Sequence, residues 1–300
     1  MSDSAANAQN QNPPAQPSLP QPSHHKPSTP KPLKPLTVRD WIPSQPGAWA
    51  MAIIPALAGV ALAGANVTTV WLLICWILCY CVQYTTARWL KSRYSRRYLP
   101  PMILYTVVLA VIGIPFVIAH PDVLLWAPPL AVLALLSFVA AKRRQERSIW
   151  ANIVVILAAC CMTVIICWIG PAAPNGSSWT SLVASQWTSP PLPADGMIAA
   201  LILALYEFGS VLFVKTMIRE RGNRAYLFAS WIWHMCLVVG GFLTDPWLCG
   251  MGLMLLARSI ILPLVDRRRK TKPVIVGMTE LVTILMTFVV VIITVPAMVG

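Results

Sequence analysis

Charge is scarce in this 300-residue chain. Asp, Glu, Lys and Arg make up 11% of it, and only ten residues are acidic. With 57% apolar residues gathered in long runs, there is too little polar surface for a water-soluble domain of this length. Also missing is the ten-residue alternation of membrane barrel strands, which leaves helices as the only spanning structure. No loop carries a Cys-x-x-Cys pair, and all eight cysteines lie inside apolar segments. That argues against a disulfide framework or a zinc site. Only one histidine falls within an apolar span, which gives haem no pair of ligands. No cofactor is expected. No nucleic-acid module is present either, so the net charge of +13 needs another explanation.

What is present is a tail and nine apolar segments. Residues 1–36 hold nine prolines and few large apolar residues, which predicts a disordered, Pro-rich cytoplasmic tail. It has no signal-peptide core, so cleavage is not expected. Residues 37–300 form the membrane domain. Its spans are placed near 48–65, 68–87, 102–119, 123–141, 149–170, 196–215, 226–244, 247–265 and 274–298, with polar breaks at His120-Pro121-Asp122 and Thr244-Asp245-Pro246. The fold class is therefore an all-α polytopic bundle of nine transmembrane helices.

Of the 23 Lys and Arg residues, 22 lie in the tail or in four connections, those after segments 2, 4, 6 and 8. The other connections carry only Asp122, Asp195 and Asp245. By the positive-inside rule this places the amino terminus in the cytoplasm and the carboxyl terminus outside a bacterial plasma membrane. The one long outer connection, 171–195, puts Trp179, Leu182, Val183 and Trp187 on one face of a short helix, suited to the membrane surface. Asn175-Gly176-Ser177 within it matches a glycosylation sequon.

Polar groups inside a bilayer are costly, so the few present are the candidates for function. They are Gln83, Asn152, Glu207, His234, Arg258 and Glu280. At a rise of about 1.5 Å per residue, all six fall in the cytoplasmic half. Gln83 and Asn152 lie within about one turn of the inner ends of segments 2 and 5. Arg258, the basic residue outside the loops, needs a carboxylate partner that Glu207 or Glu280 could supply. The pattern predicts a polar cavity among segments 2 and 5–9, open to the cytoplasm. Lys215, Arg219 and Arg221 stand at its mouth, suited to phosphate or carboxylate. Glu207, Glu280 and His234 are the candidate acid–base groups. Lys215, Arg219, Arg221, Arg258, Gln83 and Asn152 are the candidate ligand-binding groups.

Pro43-Ser44-Gln45-Pro46-Gly47-Ala48-Trp49-Ala50-Met51 resembles the opening P-x-x-H-G-A-W-A-M of the YwiC-like family of bacterial membrane proteins, with Pro46 where that family usually has histidine. Val214-Lys215-Thr216-Met217-Ile218-Arg219-Glu220-Arg221-Gly222 is similar to the family's Y-V-K-x-x-I-R-E-R-G. His234, Lys272-Pro273, Gly277 and Glu280 also match its pattern. The resemblance covers about residues 40–300 and implies a multi-pass membrane protein without a transferable activity. A looser similarity is to the UbiA-type prenyltransferases, nine-helix proteins with Asp-rich motifs on the 2–3 and 6–7 connections. At the corresponding places stand Gln83-Tyr84-Thr85-Thr86-Ala87 and Lys215-Thr216-Met217-Ile218-Arg219. Neither offers the carboxylates that Mg²⁺ requires, so magnesium-dependent prenyl transfer is not expected. The sequence points to a protein that binds or modifies an anionic or phosphorylated amphiphile, with membrane lipids as partners. The alternatives are a proton-coupled transporter and an accessory subunit of a membrane complex.

Overall fold

A computed structural model describes residues 36–43, 46–170, 192–268 and 271–299. The Pro-rich tail up to residue 35, the surface helix expected around Trp179–Trp187, and the sequon lie outside the described residues. The rest is helical. A short strap, α1 (Val38–Trp41), precedes α2 (Pro46–Ala63), α3 (Val67–Lys91), α4 (Leu99–Ala119), α5 (Ala127–Lys142), α6 (Ile149–Ile169), α7 (Ala194–Val214), α8 (Arg224–Thr244), α9 (Pro246–Arg268) and α10 (Pro273–Val299). Among the described residues, eight of these helices are long and apolar enough to cross a membrane, and Gly47–Ala63 within α2 is a shorter apolar helix. The protein is a multi-pass membrane bundle.

Two boundaries differ by four residues from the sequence reading. The fourth span was expected to start at 123, but the α-helix starts at Ala127, after a 3₁₀ stretch over Pro121–Trp126. Pro128 and Pro129 explain the delay. Proline lacks the N–H of an interior turn and is tolerated only in the first one, so it marks a helix start. The second span was expected to end near 87, but α3 runs on to Lys91. Gln83 is therefore about two turns from the end, rather than one.

Helices α2, α6, α7 and α10 form the centre, with α2 packed on α3, α6, α7 and α10 and α7 packed on α2, α6, α8 and α10. Helices α3–α5 lie on one side, and the α8–α9 hairpin lies on the other. The tight α2–α6 contact depends on Gly59, whose missing side chain lets the Thr163 backbone approach. Thr163 then donates its hydroxyl to the Pro55 carbonyl at 2.7 Å.

The basic connections meet at one end of the bundle through a series of polar links. Asp40 on the strap receives Arg88 at 2.7 Å and Arg97 at 2.9 Å. Lys91 pairs with Glu146 at 2.7 Å. Lys215 donates to the Arg147 carbonyl at 2.8 Å. Arg221 pairs with Asp266 at 3.0 Å and donates to the Thr271 carbonyl at 3.3 Å. Because α10 starts at this end, its carboxyl terminus lies at the opposite one.

Asp40 is 3% exposed. Burial by itself would raise its carboxyl, but the Thr37 N–H and hydroxyl, with Arg88 and Arg97, hold it below the ordinary 3.8. A carboxyl with a lower folded pKa contributes stability that is full above its unfolded value and is lost as pH falls through its folded one. The strap should thus stay docked down to about pH 4 and release below that. Asp40→Asn should release it at neutral pH. Hydrogen exchange of residues 37–42 reads both effects, and unchanged protection in Asp40→Asn would remove this carboxylate from the role.

Candidate functional site

Four consecutive helices bring four of the six predicted intramembrane groups into the half of the molecule built from α7–α10. On α7, Tyr206, Ser210 and Phe213 share one face, spaced four and three residues apart. That face meets α10. Tyr206 Oη lies 2.9 Å from Thr283 Oγ1, and Ser210 donates its hydroxyl to Glu280 Oε2. Arg258 reaches in from α9. Its Nη1 donates to Glu280 Oε1 at 2.5 Å and to Thr283 Oγ1 at 2.8 Å. Its guanidinium carbon lies 4.2 Å from the centre of the Phe213 ring, a cation–π contact in a setting that strengthens it.

The carboxylate partner of Arg258 is therefore Glu280. Glu207 follows Tyr206 by one residue and so points about 100° away around α7, towards Cys160 on α6. It is 0% exposed, and neither carboxyl oxygen has a hydrogen-bond partner. On α8, His234 Nδ1 donates to the Ser230 carbonyl at 2.6 Å, while Nε2 has no partner. That nitrogen sits against Gly209 of α7, where a Cβ would come within 3.3 Å of it. The flanking tryptophans hold α8 in place: Trp233 Nε1 donates to the Leu205 carbonyl at 3.0 Å and Trp231 Nε1 to the Ser259 carbonyl at 2.9 Å. Arg258 itself keeps two buried donors, Nε and Nη2, without partners. Unsatisfied polar groups at this depth are costly, and here three lie in one half of one bundle.

The other candidates do not join them. Gln83 donates to Ser137 Oγ at 2.9 Å, in the α3–α5 interface. Asn152 turns back to the Ser148 carbonyl at 2.8 Å, in the first turn of its own helix. Lys215 and Arg221 serve as links between connections, and Arg219 is exposed. A cavity of about 220 Å³ does open at the basic end. Thr216, Met217, Arg221, Arg224, Leu227 and Asp266 contribute to its lining. Buried Phe213 and Met217, with Val276, form an apolar plug near it. The residues sequence reasoning missed are Tyr206, Ser210, Phe213 and Thr283. A signal for two of the hydroxyls existed: Ser210 and Thr283 each sit three residues, about one turn, after a buried glutamate.

The sequence model described as YwiC-like protein matches residues 42–167, which takes in α2–α5 and most of α6. A Bacillus subtilis (strain 168) protein, described as Uncharacterized protein YwiC, is 30% identical over 200 residues, covering 65% of this chain and 74% of that one. The chain belongs to the YwiC-like family. A second relative, an uncharacterized protein of Haemophilus influenzae (strain ATCC 51907 / DSM 11121 / KW20 / Rd), is 26% identical over 228 residues, 74% of this chain and 86% of that one. No solved structure matches the chain. Membership in the YwiC-like family agrees with the apolar helices, and the buried cluster on α7–α10 lies beyond the stretch that the family's model matches.

Proposed function

We propose that this protein sits in the bacterial plasma membrane with its basic end in the cytoplasm, and that α7–α10 bind the anionic headgroup of an amphiphile there. The orientation follows from the positive-inside rule. The observation that carries the binding reading is the free edge of Arg258. Nε and Nη2 form the side of the guanidinium fork that grips carboxylate or phosphate oxygens in pairs, and both are buried without partners. The cavity between the end of α7 and α9 lies towards the basic end from Arg258. Its Arg224 and the neighbouring Arg219 favour an anion at its mouth. The apolar plug between cavity and guanidinium suits a ligand with a hydrocarbon part.

Native mass spectrometry of the full chain in mild detergent tests this. With phosphatidylglycerol, a phosphodiester adduct is expected that phosphatidylcholine does not reproduce. Arg258→Lys keeps the charge but loses the planar fork, and should weaken the adduct about tenfold. Equal retention of both lipids, or an adduct indifferent to Arg258→Lys, would sink the reading.

One observation favours a second reading. Glu207, a carboxyl with neither oxygen engaged, is the kind of group that carries protons through a membrane protein. Proton-linked transport would show as acidification-dependent uptake into proteoliposomes, abolished by Glu207→Gln.

A further inference from the structure

The chain runs on from α7 as an irregular turn. Lys215–Arg219 form a π-helix, closed by Glu220 N–H donating to the Lys215 carbonyl at 2.7 Å. Such a segment holds one residue more than an α-helix would over the same length, and it recurs at functional sites. If the extra residue moves towards the amino terminus, every residue it passes takes the place of the one before it.

We propose that α7 has two registers, and that in the second Glu207 occupies the site of Tyr206 and pairs with Arg258. Three observations converge on it. First, Glu207 directly follows Tyr206, so a shift of one residue, about 100°, turns it from α6 to the face that meets Thr283 and Arg258. Second, the groups left unpartnered are complementary: two acceptor oxygens on Glu207, and two donors, Nε and Nη2, on Arg258, so Glu207 competes there with the anion of the proposed function. Third, the same shift carries Ser210 into the place of Gly209, beside His234 Nε2, the remaining unpartnered buried atom of α7–α10. The Ser210 hydroxyl can donate to that nitrogen. Phe208 meanwhile replaces Glu207 in the apolar surroundings on α6.

The structure also marks the barrier. A Cβ at position 209 meets Trp233 Cδ1 at 3.0 Å and His234 Nε2 at 3.3 Å, so the Trp233 ring must move before Ser210 can enter. Ser210 leaves Glu280, and Val211 arrives there instead. The shifted state thus offers Arg258 a second carboxylate, on the guanidinium edge that Glu280 leaves free. Arg221, on the carboxyl side of the π segment, holds to Met217, Asp266 and Thr271, so the bonds to Asp266 and Thr271 fix the end beyond which the rotation does not pass.

The test is a double-mutant cycle read by thermal unfolding of the full chain in detergent. Glu280→Gln removes the partner seen here, and Glu207→Gln removes the alternative. With two registers, each single variant melts within about 3 °C of the parent, and the double variant falls by roughly 8 °C or more, beyond the sum. Deleting Ile218, an exposed residue of the π segment, removes the extra residue and fixes the register. In that background Glu280→Gln alone should fall as far as the double variant does in the parent. The proposal is overturned if Glu280→Gln in the parent already loses as much as the double variant, loss of folding included. It is also overturned if Glu207→Gln adds nothing to Glu280→Gln, or if the deletion leaves the cycle unchanged.

Discussion

Arg258→Met is expected to destabilise the folded protein by about 3–5 kcal/mol, the range found when one member of a buried ion pair is removed. The side chains of Arg258 and Glu280 are only 5% and 10% exposed. Without the guanidinium, the Glu280 carboxylate keeps Ser210 as its single hydrogen-bond partner, and Phe213 loses the cation above its ring. Replacing both members by apolar groups should be far milder, because no buried charge is then left alone. Arg258→Met combined with Glu280→Leu should recover all but about 1–2 kcal/mol. Denaturant titration in detergent distinguishes the two, and a single variant as stable as the double would show that leaving the Glu280 carboxylate unpaired costs nothing. The pair between Lys91 and Glu146 makes the contrast. Its side chains are 35% and 38% exposed, and Lys91→Ala should cost less than about 1 kcal/mol.

Gly241→Ala should be strongly damaging for a one-carbon change. A Cβ there would stand 2.4 Å from Cys249 N and 2.5 Å from Leu248 C. Both are backbone atoms, which cannot swing aside as a side-chain tip can. The closeness follows from the turn. Asp245 N–H donates to the Gly241 carbonyl at 2.8 Å, while Asp245 Oδ1 accepts from Trp247 N at 2.8 Å and Leu248 N at 3.2 Å. Helix α9 therefore begins against the last turn of α8, and the hairpin must open to admit a methyl group. A loss on the order of 3 kcal/mol or more is expected. Gly240, one residue earlier, has nothing within 4 Å of its Cβ position, and Gly240→Ala should be neutral or gain up to about 1 kcal/mol from helix propensity. Equal melting of the two variants would contradict the packing described here.

What could be read from the sequence, and what could not, divides along a physical line. Position along a helix axis follows from counting residues, since each adds a fixed rise. The apolar helices and the gathering of the basic connections at one end were legible for that reason. Position around the bundle depends on how helices rotate and pack against one another, which no single segment encodes. Gln83 and Asn152 were grouped with Arg258 by depth, but Gln83 belongs to the α3–α5 interface and Asn152 bonds within its own helix. Glu207 and Glu280 were equal candidates for Arg258, and rotation about α7 and α10 decides for Glu280. The π turn was hidden as well: Val214–Gly222 reads as ordinary helix followed by loop, and one surplus residue leaves no mark on an apolar pattern.

The links at the basic end also bear on how the chain assembles. Each joins a basic connection to the next one along the sequence: the strap to the turn after α3, that turn to the one after α5, then to those after α7 and α9. None of these links waits for a segment far downstream. During synthesis, every newly inserted pair of helices arrives with the fastener that holds it to the pair before it. The non-local contacts left over are those of α2 with α6, α7 and α10.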